Sequence, residues 1–129
     1  MKKKFNNSSW TNTDSSFYQK KEWRSLRKKY IDENPLDELK LQFGIIEAGV
    51  IVDHIIPRRL AEELEFEEDN LQTLSFLSHQ QKTAQGQKID NIEDYIHHMK
   101  KGKLQNICTE EKKEKLFKLL IEKGLTTIS

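Results

Sequence analysis

The sequence predicts an α+β fold, with two short strands set among helices. Residues 49–56 (GVIVDHII) form a β-branched run typical of a strand. Residues 70–76 (NLQTLSF) are a candidate second strand, and the segments on either side of this region have apolar residues at helical spacing. At 129 residues, the chain is expected to form one domain with a single modest core.

The N-terminal third predicts a polar lead-in followed by a helix. Residues 1–14 are rich in Asn, Ser, Thr and Lys, so we expect a flexible segment before a single domain over 15–129. Trp23, Leu26 and Tyr30 share one face of a helix expected over 16–32. Pro35 ends it, because the residue before a proline disfavours helical backbone.

The middle of the chain is less regular. Residues 36–43 have irregularly spaced apolar side chains, and helix or turn remains open there. The first strand is expected within 49–56, the acidic stretch 61–70 is expected to be a loop or an irregular link, and the second strand follows.

Two C-terminal helices are expected between about residue 90 and residue 124. Asp90 and Glu93 form a D-x-x-E start signal, and Gly102 lies where a C-terminal cap belongs. Thr109 is the expected N-cap of the last helix, and Gly124 follows its end.

Composition narrows the class of protein. Charged residues make up 33% of the chain and the mean hydropathy is −0.81, with no apolar run long enough to span a bilayer. The N-terminus lacks the apolar stretch of a signal peptide, so we expect a cytoplasmic protein with no membrane partner. The single cysteine, Cys108, excludes an internal disulfide and a zinc site built of cysteines alone.

Charge is unevenly distributed along the chain. Residues 1–30 carry nine Lys and Arg side chains against two acidic ones, whereas residues 61–70 are acidic with no basic residue. This asymmetry favours a polyanionic partner for the basic segment, although a solvated helix face gives the same pattern.

Asp53 and His54 are the first candidates for chemistry, and Asn70, His79 and Lys82 follow at wider spacing. The order His–Asn–His resembles the HNH nucleases. Residues 17–36 (FYQKKEWRSLRKKYIDENPL) are similar to the helix and NPL segment of small phage-type HNH endonucleases. VDHIIP, DNLQTL and SHQQKT resemble their core, so the likeness runs from about residue 17 to residue 84.

Physical requirements agree with this resemblance. Phosphodiester hydrolysis needs a base that activates water and a cation that stabilises developing negative charge. His54 suits the base, because an imidazole titrates near neutral pH. Asp53 and His79 can form an open metal site that leaves room for water and phosphate.

The resemblance implies a ββα-metal core (the His-Me finger) over about 36–84, flanked by an N-terminal helix and the two C-terminal helices. It places strands at about 49–53 and 72–76, and a helix at about 77–84 that carries His79. Asn70 belongs with His54 in the catalytic set, where it braces the loop between the strands. Candidate DNA contacts are five basic side chains, each also explicable as an ordinary surface cation: Arg24, Arg27, Arg58, Arg59 and Lys82.

One family feature is missing. Many HNH relatives hold a structural zinc with two Cys-x-x-Cys pairs, and the corresponding positions here are Asp37, Lys40, Ser75 and Ser78. These residues cannot build a closed tetrahedral zinc site, so we expect no structural zinc. Apolar neighbours are expected to pack in its place: Leu36, Leu39, Leu74, Phe76 and Leu77.

The function predicted from these observations is a metal-dependent endonuclease that nicks or cleaves DNA. The expected cofactor is one Mg²⁺ or Mn²⁺, with Zn²⁺ or Ni²⁺ as further candidates. The resemblance also implies a role beside phage terminase or portal proteins in packaging, and thus the host cytoplasm for a phage-encoded protein. Two alternatives stay open: an inactive DNA- or terminase-binding module on the same scaffold, and a restriction-type or mobile-element nuclease.

Overall fold

The computed structural model describes residues 16–127, and the expected flexible segment 1–14 lies outside them. Residues 16–19 are helical, and regular elements follow through the chain. They are α1 (Lys21–Glu33), α2 (Glu38–Leu41), β1 (Ile51–His54), β2 (Leu71–Leu74), α3 (Phe76–Gly86), α4 (Ile92–Lys100) and α5 (Glu110–Glu122). Two 3₁₀ turns, Glu62–Leu64 and Glu68–Asn70, lie between the strands. None of the helices in this part of the chain is long and apolar enough to cross a membrane.

The two strands pair antiparallel and α3 follows them directly, which confirms the predicted α+β fold. The register places Ile51 opposite Leu74 and His54 opposite Leu71. Ser75 follows β2 and caps α3, because its hydroxyl accepts a hydrogen bond from the backbone N–H of Ser78. The sheet therefore delivers the chain into α3 within one residue.

Two apolar clusters pack around the strand region. The smaller joins α1 to the sheet through Trp23, Tyr30, Val52 and Leu71, with Phe17 beside them. The larger packs α4 and α5 against the loop after β1, and its buried members are Ile55, Ile56, Ala61, Leu64, Tyr95, Ile96, Met99, Ile107, Leu116 and Leu120. The N-terminal helix thus packs on the strands, and the C-terminal helices pack on the segment that follows β1.

The ends of the C-terminal helices follow local capping rules. Thr109 caps α5 as predicted, since its hydroxyl accepts from the backbone N–H of Lys112. The N-cap of α4 is Asn91, one residue after the predicted Asp90. Gly102 and Gly124 have φ of 70° and 73°, the left-handed backbone expected just after a helix.

A buried carboxylate occupies the region for which the sequence predicts no zinc site. Asp37 is fully buried, and its two oxygens accept from the backbone N–H groups of Lys40 and Ser75, each at 2.9 Å. Burial raises the pKa of Asp37, but hydrogen bonds from Ser78, Ser75 and Lys40 outweigh it and leave the pKa below its ordinary value. An anion with several donors therefore holds these segments together.

The expected apolar replacement for the zinc is only half right. Leu39 and Leu74 are buried, whereas Phe76 and Leu77 are 61% and 52% exposed, so the packing predicted for these two residues is wrong. They occupy the first turn of α3, and more than half of the surface of each is exposed to solvent. The polar network around Asp37, rather than an apolar plug, links α2 to the end of β2.

Candidate functional site

A cleft of about 640 Å³ opens beside the end of β1. Its wall includes Asp53 and His54 from β1, His79 and Lys82 from α3, and Trp23 from α1. Adjacent strand residues point to opposite faces. Both Asp53 and His54 nevertheless line this cleft, because they are the last two residues of the strand.

Asp53 is buried, and its two carboxylate oxygens have different partners. Oδ2 accepts from Gln72 Nε2 at 3.0 Å and lies 3.0 Å from Lys82 Nζ. Oδ1 lies 3.5 Å from Nε2 of His79. Gln72 is opposite Asp53 in the strand register, so the two side chains share a face of the sheet.

His54 is held between an aromatic wall and a backbone carbonyl. Its ring stacks on Trp23 with centroids 4.8 Å apart, and Nε2 lies 3.0 Å from the carbonyl oxygen of Glu65. Because a carbonyl only accepts hydrogen bonds, Nε2 carries the proton in the neutral ring and Nδ1 keeps its lone pair. Burial lowers the pKa of His54 below its ordinary value, which favours this neutral form.

Asp53 and His79 are suitably placed to share one cation. A carboxylate oxygen and an imidazole nitrogen are accepted by several divalent metals. Donor atoms 3.5 Å apart can both bond to one ion at about 2.1 Å. Across residues 16–127, no group of three or more His, Cys, Asp or Glu side chains is arranged to hold a metal. An ion held here therefore needs water or substrate oxygens as its other ligands.

Lys82 is 3% exposed, although it lies on the wall of the cleft. Its ammonium donates to the carbonyl oxygen of His54 at 2.7 Å and pairs with Asp53. Burial alone lowers a lysine pKa, but the Asp53 carboxylate outweighs it, and the pKa of Lys82 is raised. The ammonium is thus charged and bound within the protein, so its predicted contact with a DNA phosphate stays a prediction.

Asn70 lies behind the site and spans the loop that leaves β1. Its Oδ1 accepts from the N–H of Ile56 at 2.9 Å, and its Nδ2 donates to the carbonyl oxygen of Ile56 at 3.1 Å. Both residues are fully buried. The amide therefore closes the loop between β1 and β2, as the resemblance implies.

The predicted DNA-contact arginines differ in their surroundings. Arg58 ion-pairs with Glu65 at 3.1 Å and its guanidinium lies 3.7 Å from the centre of the Phe17 ring. Arg59 donates to the carbonyl oxygens of Gly86 and Ile89. Arg58, Arg59 and Arg27 line the cleft, whereas Arg24 is exposed on α1 outside its lining.

Several residues at the site carry no clear signal in the sequence. Gln72 contacts Asp53, and Trp23 and Tyr95 line the cleft, yet their residue types and spacing are those of ordinary strand and helix residues. Glu65 acts through its backbone carbonyl and an ion pair to Arg58, although its acidic stretch predicts solvated side chains. Its position in the acidic loop gave no hint of either contact.

Comparison with known proteins agrees with this architecture. No protein-family model matches the chain, and a search of curated proteins also gave no match. Among solved structures, the HNH endonuclease of the deep-sea thermophilic bacteriophage GVE2, crystallised with a manganese ion, is similar. The TM-score is 0.57 at 29% identity, and the match covers 64% of this chain and 97% of the other. The fold is therefore similar to that of an HNH endonuclease.

Proposed function

We propose that this chain is a metal-dependent HNH endonuclease that hydrolyses phosphodiester bonds in DNA. The observation that carries the proposal is the geometry of the cleft: a neutral histidine, His54, lies beside the Asp53–His79 pair. The similar phage HNH endonuclease supports the reaction class.

His54 is the proposed general base. With Nε2 donating to the carbonyl oxygen of Glu65, Nδ1 can take a proton from water, and the resulting hydroxide attacks phosphorus while the bond to the 3′-oxygen breaks. The stacked Trp23 ring restricts rotation of the imidazole. A base whose pKa lies below its ordinary value is already deprotonated at neutral pH.

Asp53 and His79 are the proposed metal ligands, with Oδ1 and Nε2 as donor atoms. A bound divalent ion supplies positive charge that stabilises the phosphorane and the leaving oxygen. Mg²⁺ or Mn²⁺ is the proposed cofactor, and manganese in the similar phage enzyme agrees with this choice.

DNA is the proposed partner, with Arg27 and Arg59 on the wall of the cleft as candidate phosphate contacts. A narrower proposal is a role beside terminase or portal proteins in phage genome packaging. Its support is the resemblance to small phage enzymes and the phage origin of the similar structure.

A supercoiled-plasmid assay tests the enzymatic proposal. We expect nicking with Mg²⁺ or Mn²⁺ that is lost with chelator and falls at least about a hundredfold in His54→Ala, since general-base catalysis contributes that much. His97→Ala is the matched control, because this histidine is exposed on α4. Equal nicking by wild type and His54→Ala contradicts the assigned base.

The same preparation distinguishes the inactive alternative. If the wild type binds DNA without metal-dependent nicking, the chain is a binding module on an HNH-like scaffold and the enzymatic proposal fails. Electrophoretic mobility shift with a plasmid fragment, measured at a fixed salt concentration, provides the binding readout.

A further inference from the structure

The side chain of Lys82 places a positive charge inside the proposed metal site. Its ammonium lies 3.0 Å from Oδ2 of Asp53 and 2.7 Å from the carbonyl oxygen of His54. A single buried cation thus contacts both consecutive residues that the proposed reaction needs. The residue is also nearly inaccessible to solvent.

The two carboxylate oxygens of Asp53 have different surroundings, and both of its close hydrogen-bond donors approach the same oxygen. Lys82 and Gln72 both approach Oδ2, while Oδ1 faces His79. Gln72 is itself fixed, because its amide nitrogen also donates to the carbonyl oxygen of Ile107 at 2.7 Å. Rotation of the carboxylate is therefore opposed at one oxygen by two anchored donors.

We propose that Lys82 is a positioning residue that presents Oδ1 of Asp53 toward the metal and, through its charge, weakens the binding of that metal. This inference rests on the proposed function, since it concerns the same Asp53–His79 pair. The ammonium neutralises Asp53 in the metal-free protein and repels a divalent ion bound next to the same carboxylate.

The direction in which metal affinity changes when Lys82 is replaced distinguishes this role from that of a neutral hydrogen-bonding partner. Hydrogen-bonding partners behind a metal ligand usually strengthen binding, and their removal costs about 10–100-fold in metal affinity or activity. A cation at that position has the opposite effect on affinity, because its removal leaves an uncompensated carboxylate for the metal. Loss of the contact between Lys82 and Oδ2 of Asp53 should still lower the rate of DNA nicking.

The test is Lys82→Met, with Mn²⁺ as the probe. By isothermal titration calorimetry we expect the Kd for Mn²⁺ to fall about tenfold or more, in view of the removed repulsion. The nicking rate at saturating Mn²⁺ should fall about tenfold to a hundredfold. Lys88→Met is the matched control, because Lys88 is exposed just after α3, and it should change neither quantity.

A neutral variant that keeps a donor guards against a folding failure. If Lys82→Met does not fold, Lys82→Gln removes the charge but keeps a polar donor at this position, and the Kd for Mn²⁺ should again fall. Gln72→Met complements both variants, since it removes the second donor without changing charge. It should slow nicking without tightening Mn²⁺ binding.

The outcomes distinguish this inference from the proposed function. If wild type neither binds Mn²⁺ nor nicks DNA, the proposed function fails. If wild type does both, unchanged or weaker Mn²⁺ binding by a folded, neutral Lys82 variant overturns the role of the charge. Unchanged Mn²⁺ affinity combined with weaker DNA binding makes Lys82 a phosphate contact instead, which also overturns it.

Discussion

The side-chain amide of Asn70 is expected to stabilise the loop that leaves β1, and its contribution to the free energy of unfolding can be measured. Its amide satisfies both the N–H and the carbonyl group of Ile56, and both residues are fully buried. Asn70→Ala removes both hydrogen bonds. A buried polar group left without a partner costs about 1–3 kcal/mol, so the two groups together predict a loss of roughly 2–6 kcal/mol in the free energy of unfolding.

The isosteric variant Asn70→Asp keeps one of the two hydrogen bonds and replaces the other with a repulsive contact. One carboxylate oxygen can still accept from the N–H of Ile56, but the other replaces the donor and faces the carbonyl oxygen of the same residue. Burial and this repulsion raise the pKa of the introduced carboxyl. A carboxyl whose pKa is raised in the folded state destabilises the protein when it is ionised, above that pKa. The free energy of unfolding therefore recovers as the pH falls through that pKa.

Urea denaturation at neutral pH and at about pH 5 is the assay, with the free energy of unfolding extrapolated to water. Asn70→Asp should lose more stability at neutral pH than at acidic pH, whereas the loss in Asn70→Ala should change little. Asn91→Ala is the matched control, because its exposed side chain provides one helix cap worth about 1 kcal/mol. If Asn70→Ala costs no more than this control, the loop does not depend on the amide.

Three further perturbations follow from the structure. The nicking rate at saturating Mn²⁺ should rise with pH with a midpoint below the ordinary histidine pKa of 6.5, since burial lowers the pKa of His54. A midpoint above 6.5 contradicts the assignment of this base. Asp37→Asn should lower the free energy of unfolding at neutral pH. The difference from wild type should narrow as the pH falls through the lowered folded pKa of Asp37, because protonation removes the stabilising charge of the wild type. Denaturation at several pH values measures this difference, and a difference that does not change with pH contradicts the prediction. Gly86→Ala should destabilise by about 1–3 kcal/mol in thermal unfolding rather than stabilise the helix, since a Cβ would lie 2.9 Å from Tyr95.

The order of the elements can be predicted from local sequence patterns, and the candidate reactive side chains from the resemblance to HNH nucleases. The β-branched run around Asp53 and His54 predicts a strand because side-chain shape and alternation are local properties. The strands, α3 and the C-terminal helices lie within a few residues of their predicted bounds. Asn70 and His79 were identified through the resemblance to HNH nucleases, and the structure brings His79 to within 3.5 Å of Asp53.

The surroundings of those side chains could not be predicted, because they depend on contacts between distant parts of the chain. The carbonyl oxygen of Glu65 holds the ring of His54, but every residue has a carbonyl group, so the sequence contains no sign of that contact. Lysine is a residue type that usually lies on the surface, so the identity of Lys82 predicts an exposed cation. It is buried because Asp53 and the distant Tyr95 lie beside it, and its pKa responds to both. Whether a charge is exposed or paired depends on residues far apart in the chain, and only folding brings them together.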